Sequence, residues 1–259
     1  MAKPSPRRLS RTLIIIGVLA VVIIGLYLNR AYAYIYNEMG RLHLESSDNK
    51  GLYTINPAAA STSATTLVYA ALGDSLTAGV GTTKYEDSYP YLVAQKLAGS
   101  DQRVVVQDLG IPGERTKGLL ADVVPLANNN QPNIITVLIG VNDIHNQVST
   151  ATFRQNYDAI LTQIAKNSTA QIYTISIPFI GANTLMLPPY QWYFDSRTRE
   201  FNAIIQDLSR QHQVTYIDIY TPTENLFKQA GPHYSADLFH PSAAGYQVWA
   251  KIIYDSIHH

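Results

Sequence analysis

Ser75 follows Gly73-Asp74 at the end of an apolar run, and near the C-terminus Asp237 precedes His240 by three residues. A serine hydroxyl is a weak nucleophile at neutral pH and needs an adjacent base. Imidazole titrates near that pH, so His240 suits the base, and a carboxylate such as Asp237 would fix its tautomer and stabilise the imidazolium. Acyl transfer also needs preorganised donors for the developing oxyanion. The backbone N–H groups of Ser75 and Gly113, with the side-chain amide of Asn142, would supply three. These residue types together make a complete set for two-step acyl transfer through Ser75, with no cofactor and no metal.

Such residues are far apart in the chain, and the elements between them explain how they meet. From residue 67 onward, short apolar runs alternate with longer amphipathic stretches. Strands are expected over 67–72, 103–109, 134–139, 171–177 and 214–220. Helices are expected over 89–97, 116–127, 151–166, 193–211 and 242–257. The strand runs are apolar on both faces, as parallel strands covered by helices require. The alternation implies βαβ units and an α/β fold, a three-layer α/β/α sandwich on a five-stranded parallel sheet in flavodoxin-like order. Ligands of such sheets bind beyond the carboxyl ends of the strands. The polar clusters 73–79, 110–113 and 140–143 all fall at that edge.

In this order the motifs resemble the GDSL esterases and lipases, or SGNH hydrolases. The marks are Gly73-Asp74-Ser75-Leu76, the glycine block ending at Gly113, Gly140-Val141-Asn142-Asp143, and Asp237-Leu238-Phe239-His240-Pro241. Ser88-Tyr89-Pro90 fits the family's usual continuation of the first block. The resemblance covers essentially all of 67–259 and assigns Ser75, Gly113, Asn142 and His240 to the four namesake roles, with Asp237 completing the triad. The chain departs from the pattern in the second block. Asp108 stands where the family usually has Asn, and Arg115 where it often has Thr, so Gly110 remains an alternative to Gly113. The resemblance implies ester hydrolysis on a small-molecule, lipid or acylated-sugar ester.

Other features bound the reading. Leu13 to Leu28 is a run of 16 residues without a charge. It follows a basic arm and fits a membrane span with a cytoplasmic N-terminus and an extracytoplasmic body. The rival is a cleaved signal peptide, because Ala31-Tyr32-Ala33 matches a small-x-small cleavage site. Five of the 19 basic residues precede residue 31 and none of the 19 acidic ones does, so the body is mildly acidic and nucleic acid is not an expected partner. Cysteine is absent, which excludes disulfides and thiolate chemistry. The expected organisation is a basic arm and anchor over 1–30, a linker over 31–66, and a hydrolase domain over 67–259; the second half of the linker is rich in Ser, Thr and Ala, and 31–44 could extend the membrane helix outward.

Rival roles exist for each motif. Asp74 or Ser75 could serve as a helix cap, Asp237 could cap the last helix, and Asp143 is expected to be structural. His145, His212 and His233 are expected to be solvated or loop residues rather than ligands. The connection 178–194 is long and apolar, and either completes the core or walls an acyl pocket. An acyltransferase and a catalytically inactive binding module are the functional rivals.

Overall fold

The computed structural model describes residues 6–41, 51–56, 66–100 and 102–258. Five strands run parallel: β2 (Leu67–Gly73), β3 (Val104–Gly110), β4 (Ile134–Leu138), β5 (Gln171–Ile175) and β6 (Thr215–Ile217). β1 (Leu52–Ile55) pairs antiparallel with β3, in register from Leu52 opposite Gln107 to Ile55 opposite Val104. The sheet therefore has six strands in the order β1-β3-β2-β4-β5-β6, and the parallel five keep flavodoxin-like order. The expected five-stranded sheet thus gains an antiparallel edge. β4 is buried along its whole length, and β2 is buried from Tyr69 onward, as centrally placed strands must be.

Helices pack on the sheet in two groups. α2 (Tyr89–Ala98) and α8 (Ala243–Ile257) pack on each other, and α5 (Thr150–Asn167) packs on α6 (Tyr190–Gln211). Pro90 in the first turn of α2 lacks an N–H that would have no partner there anyway. Ser149 and Ser242 cap α5 and α8 by accepting the N–H groups of Thr152 and Gly245. Ser242, and not Asp237, is therefore the cap of the last helix.

Two expected elements differ, and one short helix is added. The helix expected over 116–127 is a short α3 (Thr116–Gly118) followed by a π turn, Leu119–Val123, and a 3-10 turn, Val124–Leu126. Pro125 lacks an N–H and its ring crowds the preceding turn, so a regular helix cannot run through it. The strand expected to reach 220 ends at Ile217. Ser176 Oγ accepts the N–H groups of Ile219 and Tyr220, and Asp218 accepts that of Thr221, turning the chain into α7 (Tyr220–Phe227). A short α4 (Val141–His145) follows β4.

Within the expected linker, residues 42–50 and 57–65 lie outside the described residues. The rest of it carries regular structure. α1 (Pro6–Arg41) runs without a break past residue 31. Its apolar residues from Leu13 to Leu26 are exposed on every side, whereas Ala31 and Ile35 are buried against the body. Tyr27 Oη donates to Pro188 O at 2.7 Å, and Tyr190 Oη donates to Leu28 O at 3.1 Å. A helix bare in its first half and docked in its second has a natural level for the surface of an apolar phase.

Candidate active site

Four chain segments converge at the carboxyl edge of the sheet. Gly73 ends β2, and the chain then turns sharply: Thr77 and Ala78 donate to Asp74 O, and Val80 donates to Ser75 O. Asp74 Oδ1 accepts the Leu76 N–H at 2.9 Å, so Asp74 does cap this turn while Ser75 stays beside it. A second turn is closed by the Ser235 N–H donating to His240 O and by the Tyr234–Pro241 bridge. Leu238 sits within it at φ 57°, which swings Asp237 and His240 to one side.

This turn brings Asp237 and His240 together, and both to Ser75. His240 Nδ1 lies 2.5 Å from Asp237 Oδ2, and His240 Nε2 lies 3.0 Å from Ser75 Oγ. The other carboxylate oxygen, Asp237 Oδ1, accepts the Ser235 hydroxyl at 2.6 Å and the N–H groups of Phe239 and His240 at 2.9 Å each. Burial acts to raise this carboxyl, but the hydrogen bond and charge of His240, with the Ser235 and Phe239 donors, outweigh it and hold the group below its ordinary value.

The remaining buried carboxyls go the other way. Burial pushes Asp74 and Asp108 up to about 7 each, against the N–H groups of Leu76 and Gly110 that favour their charged forms. Asp143 is raised by burial as well, although its two oxygens accept the Thr116 N–H at 2.9 Å and hydroxyl at 2.6 Å. Asp143 thus clamps α3 to α4, a structural role. The carboxylate facing His240 is held ionised where its neighbours tend to neutrality, the kind of separation that sorts acid and base roles.

Gly113 and Gly110 differ in a way the sequence leaves open. Gly110 N–H donates to Asp108 Oδ1 at 2.7 Å, so it is occupied. A Cβ on Gly110 would stand 2.3 Å from Ala78 N, which explains the glycine by close approach of β3 to the Ser75 turn. Gly113 adopts φ +81° and has open space where a side chain would be. Its N–H, like that of Ser75, meets no acceptor among the described residues. Asn142 donates from Nδ2 to Glu114 O at 3.0 Å, with Asp74 Oδ2 at 3.5 Å. That contact holds the amide beside the segment that carries Gly113.

Asp108 has a consequence for stability. Its Oδ2 is buried without a hydrogen-bond partner among the described residues, as is Tyr85 Oη near it. Asp74 and Asp108 bind a proton more tightly folded than unfolded, where a carboxyl titrates near about 4. Their effect is a stability that falls as pH rises from about 4 to about 7 and is flat above. Asp108→Asn keeps an acceptor for Gly110 N–H and removes one of the two groups. The variant should therefore melt higher than the parent at pH 8, with a gain that shrinks at pH 4.5. Thermal unfolding at both pH values checks this, and an equal effect at the two would refute it.

The histidines and the long connection separate on inspection. His212 Nε2 lies 2.6 Å from Asp158 Oδ1, and His233 lies in the turn before Tyr234. His145, expected to be solvated or in a loop, instead ends α4 with its Nε2 enclosed and unpartnered among the described residues. Burial, with His240 nearby, pushes it down to about 4, so it is neutral. In the 178–194 connection Phe179, Ile180, Leu185 and Met186 complete the core. Tyr190, Tyr193 and Phe194 instead line a cavity of about 470 Å³ with His145 and with Leu28, Tyr32 and Tyr36 of α1. Sequence reasoning missed these α1 residues, whose only signal was repeated tyrosines at 27, 32 and 36.

The geometry matches known proteins. The chain is similar in structure to TesA, with a TM-score of 0.61 and 19% identity over 73% of this chain and 97% of that one. An acetylxylan esterase from Geobacillus stearothermophilus aligns with a TM-score of 0.60 and 18% identity, over 74% and 94% of the two chains. The lipase/acylhydrolase from Enterococcus faecalis aligns with a TM-score of 0.57 and 22% identity, over 74% and 95%. At these identities the likeness is one of fold. No curated protein sequence matches the chain. The model of the GDSL-like lipase/acylhydrolase family matches residues 71–248, from the strand that delivers Ser75 to the helix that follows His240. By that match the chain is a carboxylic ester hydrolase and belongs to the GDSL-like lipase/acylhydrolase family.

Proposed function

We propose that this protein hydrolyses carboxylic esters through an acyl-enzyme on Ser75, with His240 as general base and acid and Asp237 as its partner. The observation that carries this reading is the unbroken chain of contacts from Asp237 Oδ2 through both ring nitrogens of His240 to Ser75 Oγ, at 2.5 and 3.0 Å. Ser75 Oγ attacks the ester carbonyl carbon as His240 Nε2 takes the hydroxyl proton. The carbonyl electron pair moves to oxygen, where the N–H groups of Ser75 and Gly113 and the Asn142 amide receive it. Collapse breaks the bond to the alcohol, which leaves with the proton from His240. Water, deprotonated by the same nitrogen, then releases the acid and regenerates Ser75.

α1 is the proposed single membrane span. A 29-residue stretch of it, Ser10–Glu38, is long and apolar enough to cross a bilayer. What favours an anchor over a signal peptide is that the helix continues through Ala31-Tyr32-Ala33, with Ala31 buried against the body. The basic arm favours a cytoplasmic N-terminus, with the body on the outer side and its esters drawn from lipids or acylated sugars there.

The test is turnover of p-nitrophenyl acetate by the full-length chain in detergent micelles. Asn142→Ala should lower kcat by about a hundredfold to a thousandfold with little change in KM, because the amide acts on developing charge. A large rise in KM at unchanged kcat would make Asn142 a substrate-binding residue instead.

A further inference from the structure

We propose that α1 is itself one wall of the acyl-binding site, so that the enzyme takes its acyl chains from lipid esters in the membrane that holds it. The inference rests on the ester-hydrolase reading above and names the substrate class of the same site. The cavity of about 470 Å³ falls within the size range of small-molecule pockets. It is closed on one side by Leu28, Tyr32 and Tyr36, residues four positions apart on one face of α1. The opposite side is Tyr190, Tyr193 and Phe194 at the start of α6. Without α1 this space is an open apolar patch.

Two further observations connect the cavity to chemistry and to lipid. His145 lines it, its ring lies 5.4 Å from that of Phe239, and Phe239 in turn lies 4.9 Å from His240. A single aromatic ring therefore separates the cavity wall from the proposed base. Neutral His145 adds no charge that would exclude an alkyl chain. Leu28 is both the last residue of the charge-free run and a wall of the cavity. From Leu28 to Tyr36 the helix rises only about 12 Å, so the cavity begins where α1 leaves the apolar phase.

The body also offers an interfacial contact at that level. Pro188 and Tyr190 bond to α1 at Tyr27 and Leu28, and next to them Trp192 is 67% exposed and Tyr193 43%. Exposed aromatics beside a span belong at the headgroup region, where one side is apolar and the other wet.

The experiment uses the full-length chain reconstituted in phosphatidylcholine vesicles, with p-nitrophenyl acetate, butyrate, hexanoate and octanoate as probes. In the parent, kcat/KM should rise about fourfold per added methylene, the equivalent of about 0.8 kcal/mol. Leu28→Ala and Tyr32→Ala should each lower the octanoate-to-acetate ratio at least tenfold. A ratio unchanged in both variants overturns the proposal. Acetate turnover that survives Ser75→Ala overturns the Ser75 acyl-enzyme reading on which the proposal rests, so the two failures are distinguishable. A second measurement does not depend on the variants folding. Trp192 and the buried Trp249 are the two tryptophans, so lipids brominated near the headgroup should quench emission from the parent and leave Trp192→Phe unaffected. Absence of quenching in the parent would remove the lipid-surface contact and the proposal with it.

Discussion

Ser75→Ala and His240→Ala are each expected to lower kcat by about a millionfold, and the double variant by scarcely more. Residues that act as one unit are non-additive in this way, because removing either leaves the other without a task. The contact of 3.0 Å between His240 Nε2 and Ser75 Oγ is the physical reason to treat them as one unit. Residual turnover would come from the backbone donors at Ser75 and Gly113, which neither substitution removes. Steady-state kinetics of the three variants, with thermal melts to show that each remains folded, is the measurement. His145→Ala is the control, since that ring also lies close to His240. If His145→Ala eliminated activity and His240→Ala spared it, the proposed triad would be wrong.

Asp237→Asn is expected to lower kcat by about ten-thousandfold, with a fold that stays intact. The reason lies in the oxygen that does not touch His240. Asp237 Oδ1 accepts three donors, the Ser235 hydroxyl and the N–H groups of Phe239 and His240. In the variant those donors require an oxygen, so the asparagine must turn its NH₂ toward His240 Nδ1. Nδ1 then has to accept, which places the ring proton on Nε2, and Nε2 can no longer take the proton of Ser75. A kcat within tenfold of the parent would show that Asp237 does not set the tautomer.

The parallel strands and the motifs at their ends were legible because each leaves a local mark. β4, Ile134–Leu138, is apolar but for Thr136 because it is buried on both faces, and its shortness and β-branched residues mark it as a strand. Ser75 and Asn142 stand in short motifs next to such runs, whereas His240 lies 23 residues beyond β6 and reaches Ser75 through the turn at Leu238. β1 left no such mark. Of its four residues only Ile55 is buried, and its place is fixed by backbone pairing with a strand some fifty residues away. The cavity was equally hidden, since it joins residues 28–36 to residues 189–194 and neither stretch is distinctive without the other. The choice between Gly110 and Gly113 depended on one hydrogen bond to Asp108, which no spacing rule contains.

β1 has a consequence for how the protein behaves in company. A sheet made only of the five parallel strands would end on β3, where Val104, Val105 and Val106 would present unpaired N–H and C=O groups along a β-branched edge. Such an edge is a template for another chain's strand. β1 occupies it from Val104 to Gln107, while the opposite edge, β6, is only three residues long. The short strand that follows α1 thus acts as a guard against edge-to-edge association. A version shortened past β1 would shed α1 and acquire an adhesive margin in its place.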